Sequence, residues 1–212
     1  ISDPIIKEFV KLGGVRCASP LEAGKGAEAL VVLIAHTDQI NDLIFGDEGA
    51  LKGLKPDTGL ILRSTILPSV LHKLERDLEE TQKIAYVVDA YGSYGRSDAL
   101  NGKVIIVSSG RSDAIARVRP LLSAMCEKLF TFEGEIGGGS KVKMVSVMLE
   151  GIHFIASVEA LSLGAKAGIH PWIIYDIISN AAGNSWVFKN NVPLLLKGEV
   201  KHQILNTLVK EL

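Results

Sequence analysis

Two cysteines in 212 residues leave no disulfide framework. Cys17 and Cys126 lie far apart, and no histidine stands near either at metal-ligand spacing. Both read as reduced thiols of an intracellular protein. Charge of one sign is lacking too: 23 Lys and Arg against 24 Asp and Glu leave a net charge of −1. No basic run is present, which argues against a nucleic-acid partner. The longest unbroken apolar run, residues 29–35, is far shorter than the roughly 20 residues of a membrane span, so no membrane partner is expected. No signal-peptide pattern opens the chain, and the expected compartment is the cytoplasm, with an organelle left open. Internal repeats and low-complexity tracts are also missing. The chain starts at Ile1-Ser2-Asp3-Pro4 without methionine and stops at Lys210-Glu211-Leu212 inside a helical pattern. A fragment is expected, although processing would look the same.

What is present is an ordinary globular composition, 47% hydrophobic and 22% charged. The length suits one large domain or two small ones. Residues 29–35, 59–63 and 84–88 are short apolar runs of the kind that form parallel strands buried on both faces. Residues 103–108 and 128–132 read as two further strands. Helical spacing occupies 4–12, the start of 40–51, 68–80 and 112–124. Strands alternating with helices predict a mostly parallel α/β sheet over residues 1–136.

The character changes at Gly137. From 140 to about 168 the apolar spacing predicts one helix of roughly 25 residues or more, about 40 Å long. A spine joining two domains explains that length. Helical patterns at 171–180, 185–195 and 201–212 follow, so residues 137–212 read as an all-helical domain.

Four stretches could carry chemistry. The first is Gly137-Gly138-Gly139-Ser140-Lys141-Val142-Lys143. Glycines before a helix let the backbone approach a ligand, and a helix N-terminus offers unpaired N–H donors. A lysine near that end opposes the helix dipole, so an anionic substrate or cofactor would explain it. Lys141 and Lys143 lie about 200° apart on a helix and cannot both face one cleft. The plain alternative is a glycine-rich hinge with two solvated lysines. The second stretch, Asp89 to Gly95, is read as a loop after a buried strand, where α/β proteins place ligands. Ser93 offers a hydroxyl and Gly95 a close backbone N–H; a simple turn is the alternative. The third is Arg63 to Pro68, in which Ser64 or Thr65 could cap the following helix. In the fourth, Gly183-Asn184-Ser185-Trp186, the expected roles are a cap and a core tryptophan. The five histidines form no ligand set, no metal is expected, and His153 is expected to be a packed core residue.

No single stretch decides the matter, but their order does. The chain resembles the β-hydroxyacid dehydrogenase family, which includes 3-hydroxyisobutyrate dehydrogenase. That family's serine-threonine-isoleucine segment and following proline are matched by Ser64-Thr65-Ile66 and Pro68. Its aspartate-alanine-proline-valine-serine-glycine-glycine motif is matched by Asp89, Ala90, Ser93 and Gly95, while Tyr91, Gly92 and Tyr94 depart. Its glycine-x-glycine-x-x-x-lysine motif is met in full by Gly137, Gly139 and Lys143. Glu159-Ala160-Leu161, Gly164 and Gly168 follow, and Lys210-Glu211 stands where the family has a lysine-aspartate pair. The similarity extends to the dehydrogenase-like segment of a large plant fusion protein that also carries an aldolase-like part.

The resemblance implies an incomplete Rossmann-type domain followed by a helical domain. It implies hydride transfer between NAD or NADP and a small hydroxy acid or semialdehyde. Lys143 would be the general acid/base. Ser93, Tyr94 and Gly95 would hold the substrate carboxylate, with Ser146 beside them. His36, Thr37, Thr65, Gly137, Gly139 and Lys210 would line the cofactor. The family's asparagine four residues after the lysine is Val147 here, which cannot hydrogen-bond. The family's glycine-rich dinucleotide fingerprint is missing, so the 212 residues alone are expected to bind a dinucleotide weakly. Two readings follow: an oxidoreductase, or a dehydrogenase-like module that has lost chemistry and serves binding or structure. Self-association is also expected, through an exposed long helix.

Overall fold

The computed structural model describes residues 3–34, 39–64, 66–93 and 101–199. Two compact units divide it, residues 1–141 and 142–212.

The first unit is built on a five-stranded sheet of order β1-β2-β3-β4-β5. Its strands are β1 (Ala29–Val32), β2 (Thr58–Leu62), β3 (Ile84–Ser93), β4 (Ile105–Gly110) and β5 (Lys128–Glu133). Among the described residues it also has helices α1 (Asp3–Lys11), α2 (Pro20–Gly24), α3 (Gln39–Phe45), α4 (Ala50–Gly53), α5 (Pro68–Glu79) and α6 (Ser112–Ala124). Every residue of β2 is buried, and alternation assigns its side chains to two cores. Leu60 and Leu62 pack with Ile44, Leu71, Leu74 and Leu78 of α3 and α5 on one face. Ile61 packs with Val88, Ile106, Ile115 and Leu122, which reach α6 on the other. A sheet covered on both faces explains why its strands read as unbroken apolar runs rather than alternating ones.

Three of the four strand pairings are parallel, as the helix–strand alternation predicts. The exception is β3 with β4, which run antiparallel from Asp89↔Ser109 to Ser93↔Ile105. An antiparallel neighbour needs no crossover helix. The pairing carries β3 five residues past Val88, where the sequence pattern ends it. Asp89 to Ser93 is therefore strand, not the start of a loop.

The second unit contains most of α7 (Gly138–Lys166), together with α8 (Pro171–Ser179) and α9 (Trp186–Leu196). Its core is Leu161, Ile174, Phe188 and Val192. The Tyr175 ring stacks on Phe188 at 6.0 Å, and its hydroxyl donates to the Lys189 carbonyl at 3.1 Å. Ser185 caps α9 by accepting from the Phe188 N–H at 3.0 Å, as its sequence position predicts. Trp186 is no core residue, being 59% exposed, and His153 is exposed on α7. Both were assigned inward by side-chain type, whereas helix phase turns them outward.

At 29 residues, with a mean hydropathy of 1.5 over its most apolar window, α7 is long and apolar enough to cross a membrane by length and composition alone. Core helices of water-soluble proteins pass the same test. Scattered charges such as Lys143, Glu150 and Glu159 break its apolar runs, which is why the run-length argument passed over it.

Candidate active site

The carboxyl ends of β1 and β2 are joined just where two proposed cofactor segments begin. The Ser64 hydroxyl accepts from the Ile34 N–H at 2.7 Å, and the Arg63 N–H donates to the Val32 carbonyl at 2.8 Å. Ser64 is therefore a tie between strand ends. The cap position of α5 belongs to Leu67, which makes no side-chain cap bond. His36, Thr37 and Thr65 lie outside the described residues, as do Tyr94, Gly95 and Lys210. Ser93 ends β3 with its backbone paired to Ile105; its side chain is not described.

The glycine-rich turn meets the sheet closely. Gly137 adopts φ +98°, a conformation that side chains disfavour. A Cβ on Gly139 would lie 2.7 Å from the Val107 carbonyl oxygen and 3.1 Å from Asp89 Oδ2. The glycines thus let the backbone approach β3 and β4. Their amides are engaged there: Ser109 Oγ accepts from Gly137 N–H at 3.0 Å and Gly139 N–H at 3.1 Å. Asp89 Oδ2 accepts from Ser140 N–H at 2.9 Å and from the Ser109 hydroxyl at 3.3 Å. The expected open nest of helix N-terminal donors is therefore filled by the protein's own side chains. A cofactor phosphate does not fit there, because a carboxyl group already stands in its place.

Sequence reading gave Asp89 no role of its own beyond its place in the motif, and it passed over Ser109. A signal was present: each ends a buried apolar run, and a buried polar side chain must find partners. Burial pushes the Asp89 carboxyl above its ordinary value of 3.8, opposed by hydrogen bonds from Ser140 and Ser109. A raised carboxyl favours the folded state while protonated. Its contribution is complete below the ordinary value and is lost as pH rises through the raised one. The unfolding free energy of the natural protein relative to Asp89→Asn should therefore fall from pH 3.5 upward and then level off. Urea titrations across that range check it; a pH-independent difference would contradict the shift.

On α7, Lys141 is exposed and Lys143 half-buried, in keeping with their separation around the helix. Ser146 and Val147, three and four residues on, share the face of Lys143. Ser146 is half-buried and Val147 buried, so the position of the family's asparagine is apolar and closed. Among the described residues, no group of three or more His, Cys, Asp or Glu side chains could hold a metal ion.

Residues 2–134 match the model of the NAD binding domain of 6-phosphogluconate dehydrogenase. Residues 137–212 match that of the NAD-binding domain of NADP-dependent 3-hydroxyisobutyrate dehydrogenase. L-threonate dehydrogenase of Cupriavidus necator is 34% identical over 195 residues, which cover 92% of this chain and 65% of that protein. Mitochondrial 3-hydroxyisobutyrate dehydrogenase of Mus musculus is 29% identical over 196 residues, covering 92% and 58%. The crystal structure of 3-hydroxyisobutyrate dehydrogenase from Salmonella typhimurium has a TM-score of 0.84 at 29% identity, covering 93% of this chain and 68% of that one. The chain spans less than two thirds of the length of these two curated relatives. With both of its halves matched in order, the chain belongs to the β-hydroxyacid dehydrogenase family, of the 3-hydroxyisobutyrate dehydrogenase type.

Proposed function

We propose that the whole protein is an NAD(P)-dependent oxidoreductase acting between a small hydroxy acid and its carbonyl product or semialdehyde. The observation that carries this reading is Lys143. It lies half-buried on α7, at the family's lysine position and directly after the glycine turn that anchors the helix to the sheet. In this reading the Lys143 Nζ takes the hydroxyl proton as the carbon gives up its hydride, and returns a proton in the reverse direction. The nicotinamide, when bound, supplies the hydride acceptor. Ser93, Tyr94 and Gly95 hold the substrate carboxylate and Ser146 contributes a hydroxyl. His36, Thr37, Thr65 and Lys210 line the cofactor. Gly137 and Gly139 would serve the cofactor only indirectly, by shaping the turn before α7, because both are buried and their amides are committed to Ser109.

The test is reduction of NAD and of NADP by the whole protein with L-threonate, 3-hydroxyisobutyrate and other small hydroxy acids. Turnover with one of them supports the reading. Tight nucleotide binding without turnover on any of them would point to the degenerate module instead. The buried Val147 makes that outcome worth measuring, since it removes the polar partner the family's lysine has.

Two further proposals concern partners and context. A second copy of the chain is a candidate partner for the exposed apolar side chains of α7, among them Val145, Ile152 and Ile155. A monomer by sedimentation of the whole protein would exclude it. The likeness to the dehydrogenase-like segment of a plant fusion protein is read from sequence motifs, and sequencing the transcript on both sides tests it.

A further inference from the structure

The N-terminus of α7 is held by two residues that the proposed chemistry does not use. Gly137, just before the helix, has no side chain, so it cannot supply the usual Ser, Thr, Asp or Asn cap. The capping groups come instead from the sheet. Asp89 on β3 and Ser109 on β4 are directly paired residues, and both are completely buried. The Ser109 hydroxyl uses all it has: it accepts from the Gly137 and Gly139 amides and donates to Asp89. Asp89 Oδ2 then takes the Ser140 amide. A local cap would fix only the start of a helix. This one fixes the start of α7 to two central strands.

The grip is connected to the lysines through the backbone. In an α-helix the amide of each residue bonds to the carbonyl four residues earlier. Lys141 N–H donates to the Gly137 carbonyl at 3.0 Å, and by the same pattern Lys143 N–H bonds to the Gly139 carbonyl. The two glycines whose amides Ser109 holds are therefore the two on which the lysines hang.

We infer that Asp89 and Ser109 are positioning residues for Lys143, acting through the amides of Gly137, Gly139 and Ser140 rather than by contact with substrate. The inference rests on reading Lys143 as the proton-transfer group. Its physical force is that a catalytic group displaced by about 1 Å can lose a hundredfold in rate.

The experiment uses the whole protein and Ser109→Ala. Amide hydrogen exchange at Gly139 and Lys143 should quicken at least tenfold, while exchange at Leu60 and Ile61 in β2 stays unchanged. The kcat should fall about tenfold or more, with KM for the hydroxy acid within threefold. Unchanged exchange at Gly139 and Lys143 would overturn the inference, and so would faster exchange with an unaltered kcat. Should Ser109→Ala not fold, Asp89→Asn is read in the same way, because its neutral oxygen holds Ser140 less strongly. If the natural whole protein reduces neither nucleotide, the catalytic reading of Lys143 fails on its own. The exchange measurement then decides the inference alone: local loosening at Lys143 supports the anchoring, and none refutes it.

Discussion

Lys143→Ala in the whole protein is expected to lower kcat about a thousandfold, the middle of the range for a positioned acid/base group. Nucleotide affinity should stay within threefold, because no cofactor contact is assigned to this side chain. Lys141→Ala is the matched control. Lys141 is exposed on a different side of the same helix, and its loss should change kcat less than threefold. Steady-state kinetics together with fluorescence titration of the reduced nucleotide separate the two effects. A Lys143→Ala protein that retained more than a tenth of the natural kcat would remove lysine from the mechanism.

Alanine at Gly139 should cost about 2–3 kcal/mol of stability, the cost of forcing atoms into a packed contact. The added Cβ would meet the Val107 carbonyl oxygen at 2.7 Å. That oxygen is backbone in the middle of β4, so relief requires the helix start to move. Movement in turn strains the hydrogen bond to Ser109. For a chain of this size the loss corresponds to a fall in Tm of about 5–10 °C. The same substitution at Gly151 should have the opposite sign. Gly151 also lies within α7, but nothing stands within 4 Å of its Cβ position. Alanine there gains helix propensity of about 0.5–1 kcal/mol. Calorimetry on both variants distinguishes a glycine needed for close approach from one that is merely tolerated.

Much of the fold was legible because burial leaves a period in the sequence. Residues 60–62 are apolar and buried on both faces of the sheet, so the reading of 59–63 as a strand falls within a residue of the observed Thr58–Leu62. Pro68 and Ser185 start helices by local chemistry, and α5 and α9 begin there or one residue later. The misread portions had no local signature. The short α2 between Pro20 and Gly24 is a single turn, too brief to show a period. The extension of β3 through Asp89–Ser93 depends on its antiparallel partner β4, a contact between residues some 20 apart in the chain.

The same division governs the site. Local sequence by itself determined the long helix, the glycine turn before it, the placing of Lys143 rather than Lys141 at the family spacing, and the apolar residue where an asparagine was expected. Each is a matter of order and spacing along one element. Tertiary structure alone decided what the glycines are for. Read locally, their amides were free to bind an anion; in the folded chain Ser109 and Asp89 already occupy them. No pattern of spacing could disclose this, because the three groups meet only when β3 and β4 pair and residues 137–140 come against them. Hydrogen bonds act between atoms near in space, whereas a sequence motif records only nearness along the chain.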